Sequence, residues 1–172
     1  MFKKRVAVAL FLGVTVSGTA SAFDGTINFT GNISDAACTV GSSVPTVRLG
    51  HVAASALGSV GDRAGSTRFE VKLTTCPTTL TKAAIKFDGP SDSNNTELLA
   101  LTTEAGVAKG VAIGFFENDG ATKIPVGEES TLQDINPTTH EATLVFFAKY
   151  QRTAPLVEGK ANASTTFTII YN

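Results

Sequence analysis

The chain of 172 residues has no tryptophan, one methionine, two histidines and two cysteines. Each scarcity closes off a class of function. His51 and His140 cannot by themselves make a His-rich metal site. Glu128 and Glu129 are adjacent, so they diverge in a strand or share a solvated turn, unlike the facing carboxylates of acid–base catalysis. No Gly-rich phosphate loop, nucleophile elbow or His-Glu zinc motif is present. The residues therefore point away from an enzyme, and no cofactor or metal is expected.

Long apolar runs are also scarce. The one at Val6–Val16 is broken by Gly13 and Thr15 and falls short of the roughly 20 residues of a membrane-spanning helix. It follows Lys3, Lys4 and Arg5 and leads to Ala20-Ser21-Ala22. That order of positive, apolar and small residues is the form of a secretory signal peptide. Residues 1–22 are expected to be removed, which leaves 150 of the 172. Three basic side chains leave with them, so the formal net charge moves from −1 to −4, with 11 basic residues against 15 acidic ones. A mildly acidic exported chain without a basic run is a poor nucleic-acid binder.

Export also decides how the two cysteines are read. In an oxidising compartment Cys38 and Cys76 are expected to pair, and only one intramolecular pairing exists. Closing a loop of about 39 residues is worth roughly 4 kcal/mol on the loop-entropy account. A reactive or metal-binding thiol pair would need neighbouring His or Cys partners, which the sequence around them lacks.

Thr, Val, Ile and Phe are abundant, and Gly and Pro fall at short intervals. Strands are legible by parity. Phe69, Val71 and Leu73 alternate with Arg68, Glu70 and Lys72. Ile85 and Phe87 alternate with Lys86 and Asp88. Gly89–Asn95 is a polar loop before the run Leu98–Leu101. Val111, Ile113 and Phe115 continue the pattern up to Asn118-Asp119-Gly120, a strong hairpin signal. The short strand Lys123–Val126 follows, and its Pro125 suits a sheet edge. Glu141–Gln151 is the longest expected strand, with Leu144, Phe146, Ala148 and Tyr150 facing the core. Thr165–Asn172 places Phe167, Ile169 and Tyr171 on one face. No segment carries a helical stripe over three turns, although Val52–Val60 suits a short helix or loop. Strands at this spacing predict an all-β, antiparallel sandwich of immunoglobulin-like type.

Gly25–Ile33 stands apart from that body. Ile27, Phe29, Gly31 and Ile33 form its apolar edge, while Thr26, Asn28, Thr30 and Asn32 form a polar one. Gly31 is the one gap, where a strand interior loses its side chain for a bulge or a close backbone approach. The last strand, in turn, runs to the final residue of the sequence.

Taken in order, these features resemble the subunits of chaperone–usher fimbriae, the type 1 and P pilus families. The matching residues are Gly25, Phe29, Gly31 and Ile33 in G-x-x-x-F-x-G-x-[IV]; D-A-A-C at Asp35–Cys38; V-x-L-G at Val47–Gly50; and L-T-T-C-P at Leu73–Pro77. They continue with F-F-A-K-Y at Phe146–Tyr150 and T-F-T-I-I-Y-N up to Asn172. The resemblance implies an incomplete immunoglobulin-like sandwich with an N-terminal donor-strand extension. On that reading, residues 1–22 are the signal peptide, 23–34 the extension and 35–172 the pilin domain. Ile27, Phe29 and Ile33 would fill a neighbouring subunit's groove, with Gly31 where that groove is shallow. Phe167, Ile169, Tyr171 and Asn172 would form the edge gripped by a periplasmic chaperone before an outer-membrane usher assembles the fibre. The partners implied are neighbouring subunits in a head-to-tail polymer, the chaperone and the usher, at the cell surface. Only Phe23–Ala37 precede Cys38, a shorter extension than many shaft subunits carry and closer to a minor adaptor. The reading from another class is a self-contained secreted immunoglobulin-like binding domain that packs Gly25–Ile33 as its own first strand.

Overall fold

The computed structural model describes residues 37–41 and 46–172. The expected signal segment and the expected strand with Ile27, Phe29, Gly31 and Ile33 lie outside the described residues. Eight strands follow in order: β1 (Thr39–Val40), β2 (Arg63–Thr74), β3 (Lys82–Asp88), β4 (Lys109–Phe116), β5 (Lys123–Ile124), β6 (Gln133–Asp134), β7 (Ala142–Val157) and β8 (Thr166–Tyr171). A single 3-10 turn, Ala54–Leu57, interrupts the β structure within the region read as helix or loop. The strands form two sheets, one ordered β1-β2-β7-β4-β5 and the other β6-β3-β8. All pairings between these strands are antiparallel.

Alternating residues build the core between the sheets, because successive strand side chains point to opposite faces. Phe69, Val71 and Leu73 of β2 are buried while Arg68 and Lys72 are exposed. On β7, Leu144, Phe146, Ala148 and Tyr150 are buried, as their parity requires. Phe87 of β3 crosses to the larger sheet. It stacks on Phe115 of β4 with centroids 4.3 Å apart and meets Phe146 edge-on at 5.4 Å. Phe69 lies 5.9 Å from Phe87 and 5.8 Å from Phe146, so four rings from four strands join the layers.

Two expectations differ in extent. β7 continues past Gln151 to Val157, through Pro155. The pairing of β4 with β7 shifts register between Lys109 and Val111, around Gly110 at φ +69°. A Cβ on Gly110 would collide with the carbonyls of Ala154 and Pro155, so the bulge needs a glycine. The expected strand Lys123–Val126 forms only at Lys123–Ile124, at the edge of its sheet.

The hairpin turn at 118–120 is held by Asp119. Its carboxylate accepts bonds from the Ala121 amide at 2.8 Å, the Thr122 amide at 2.9 Å and the Thr122 hydroxyl at 2.5 Å. The Thr122 hydroxyl, then the two amides, with Lys149 nearby, hold this carboxyl below its ordinary value of 3.8 against a small opposing desolvation. A carboxyl lowered in the folded state stabilises above its unfolded value, and that contribution disappears as pH falls through the folded one. Asp119→Asn should therefore lower the melting temperature at pH 7 and flatten its decline below about pH 4, as read by melting curves across pH.

Backbone strain supplies a second test. Gly110→Ala places a side chain in the left-handed region and against two carbonyls. It should cost on the order of 2–4 kcal/mol in denaturant unfolding, from left-handed strain plus overpacking. Thr75, at φ 53°, is the reverse case. Thr75→Gly should leave stability unchanged or raise it.

Candidate assembly groove

β3 and β8 differ in what flanks them. β3 pairs with β8 on one side and on the other with β6 and the Glu129–Ser130 segment. There the Ile85 amide donates to the Ser130 hydroxyl at 3.0 Å and the Ser130 amide to the Ile85 carbonyl at 2.8 Å. β8 pairs with β3 alone among the described strands. Lys82 and Asn172 exchange a reciprocal pair of backbone bonds, 3.1 and 3.0 Å. Because antiparallel pairs alternate between hydrogen-bonded and non-bonded, the backbone groups of Phe167, Ile169 and Tyr171 point away from β3, toward the free edge.

The side chains of the same three residues turn inward and are only half-buried, although all three pack against the core. Beside β8 lies a cleft of about 360 Å³. Val47 and Leu49 stand on one wall, Ala163, Thr165 and Phe167 on the other, and Phe69, Phe87 and Phe115 are in its floor. The core aromatics thus lie beneath a slot whose wall is a strand edge without a partner among the described strands. The slot is lined mainly by apolar side chains.

Cys38 and Cys76 form a disulfide, 38 residues apart in sequence, at the Tyr171 end of the slot. Burial pushes the Tyr171 phenol up, while the Cys38 backbone acts in the opposite sense. Tyr150, also pushed up by burial, donates its hydroxyl to the Ala161 carbonyl at 3.0 Å. The segment carrying Ala163 is thereby tied to β7. Asn172 is exposed, and its backbone also accepts from Thr81. Ile169 and Tyr171 continue the half-buried row beyond the deep cleft, which Phe167 lines.

Sequence reasoning named the β8 wall but not the opposite one or the floor. Val47 and Leu49 were visible as alternating apolar residues in V-x-L-G, and Leu99, another lining residue, within the run 98–101. Nothing in the sequence distinguished Phe87 and Phe115 from ordinary core. His51 and His140 lie apart, and no metal-binding cluster occurs among the described residues.

The described body is a two-sheet, all-β sandwich with an apolar cleft beside its last strand. A fimbrial protein family model matches residues 27–172. The chain is 36% identical, over 99% of its own length and 98% of the relative's, to the probable major fimbrial subunit LpfA of Escherichia coli O157:H7. It is 35% identical to long polar fimbria protein A of Salmonella typhimurium, over 98% of this chain and 97% of that one. A solved chaperone–usher pilus structure shares the fold at TM-score 0.66 and 19% identity, covering 91% of this chain and 100% of that one. The chain belongs to the fimbrial protein family: it is a structural subunit of surface fimbriae, with an immunoglobulin-like fold, and not an enzyme.

The floor sets an energetic test. Phe87→Ala removes contacts with three other rings and should cost about 3–5 kcal/mol in denaturant unfolding. Phe167→Ala, on the half-open wall, should cost clearly less under the same conditions.

Proposed function

We propose that the subunit polymerises head to tail by strand exchange, with a neighbouring subunit's residues 23–34 filling the groove beside β8. The single observation that carries the reading is the half-buried, outward-bonding row Phe167, Ile169 and Tyr171 beside an apolar slot floored by core aromatics. In this scheme Ile27, Phe29 and Ile33 enter the slot and each contributes roughly 1.5–3 kcal/mol of apolar burial. Gly31 lies where the slot is too shallow for a side chain. A periplasmic chaperone covers the β8 edge and the Asn172 terminus before assembly, since an open apolar edge otherwise aggregates. An outer-membrane usher then exchanges chaperone for subunit, on a path from periplasm to cell surface. Heterologous contacts of this kind propagate rather than close. Kinship with a relative named a probable major subunit favours a fibre made of repeated copies of this chain. The self-contained binding domain, which would pack Gly25–Ile33 as its own first strand, is the weaker reading, because the chain belongs to a family of fimbrial subunits.

A melting curve tests the scheme. A chain beginning at Asp35 should be labile or aggregating and should gain stability on adding a peptide spanning Phe23–Asp35. The same peptide with Gly31→Val should stabilise much less. A truncated chain that is monomeric, stable and indifferent to the peptide would return the protein to the binding-domain class.

A further inference from the structure

Among the described residues the exposed large hydrophobics are Val40, Val60, Leu132 and Val157, and all but Leu132 lie toward the two poles of the sandwich. At the disulfide pole, Val40 is among the few large exposed hydrophobics. At the opposite pole, where β2 begins and β7 ends, Val60 is 65% and Val157 53% exposed. Val157 borders a second cleft, of about 310 Å³, lined also by Val52, Leu57 and Leu156. This cleft adjoins the groove: Tyr150 lines it, and the Tyr150 hydroxyl bonds Ala161, two residues before the groove-lining Ala163.

Covalent geometry brings these poles together if residues 23–34 of one copy fill the groove of the next, so the inference rests on the strand-exchange reading. β8 runs from Thr166, opposite Asp88, to Tyr171, opposite Ala83 and beside the disulfide. A strand added antiparallel to it, as in every pairing between the described strands, leaves the groove at the Thr166 end with Ile33 last. Cys38 follows Ile33 by five positions, and five residues span at most about 18 Å when fully extended. The donor's disulfide is therefore kept within about 18 Å of the receiver's Thr166 pole.

We propose that the Val157 cleft is the docking surface for the disulfide pole of a second copy of this chain, with Val40 of the donor against Val157 and Leu156 of the receiver. The contact makes each joint of the fibre stiffer than a strand on a free tether.

The test uses fimbriae assembled from the full chain with a photo-reactive benzoylphenylalanine at position 157. Irradiation should join neighbouring subunits through a peptide containing Thr39–Gly41 or Thr75–Thr78, whereas the same label at Leu132 should give no such product. Fibres that assemble but give cross-links elsewhere, or none, overturn the proposal while leaving strand exchange standing. Fibres that still assemble after deletion of residues 23–34 overturn both. Where the label blocks assembly, Val157→Glu combined with Val40→Lys should restore the fibre yield that Val157→Glu alone loses, and absence of rescue also overturns the contact.

Discussion

One constraint governs the described body: among its strands β8 has backbone bonding on one flank only, and an inner face that its own sheet does not finish burying. Buried backbone groups must be paired, and apolar rings gain by leaving water. At β8 both demands converge, because the residues whose amides and carbonyls face outward, Phe167, Ile169 and Tyr171, are those whose side chains face the core. A single added strand satisfies both at once. No surface adjustment of the existing strands can, since β3 is already bonded on both sides.

The rest of the sandwich is held together independently of that edge. β7 is the spine, sixteen residues long between β2 and β4, and the register shifts on its two flanks involve Gly65 and Gly110, both at positive φ. The disulfide secures the short β1 to the end of β2. The ion pairs add little: Arg68–Glu70 at 3.2 Å and Lys72–Glu70 at 3.6 Å lie on an exposed face, where such pairs are worth under about 1 kcal/mol. Stability rests on burial between the sheets, centred on the rings that also floor the slot.

Much of the fold was legible because parity is a local signal. β2, β3, β4, β7 and β8 all announce themselves through alternation, and Asn118-Asp119-Gly120 marks the β4–β5 turn. The signal failed where tertiary contacts override it. After Tyr150 the series Gln151-Arg152-Thr153-Ala154-Pro155 loses its alternation, and β7 persists there only because Gly110 on another strand lets the backbones approach. The two-residue β1 and β6 are too short to carry a pattern. At the groove, one wall was readable from the last strand. The floor was not, because a phenylalanine beneath a slot and one inside a closed core have the same sequence signature.

The hydroxyl of Tyr150 has a consequence of another kind. By holding Ala161 from below, a core strand sets the position of the loop that forms one lip of the slot, while the aromatic floor fixes its depth. The width of the slot is then a property of the folded body. Under the proposed strand exchange, an arriving strand would meet a preformed mould and have only its own disorder to lose. That difference favours fast, selective capture over slow mutual adjustment: a strand whose side chains do not match the mould finds no softer lip to accommodate it.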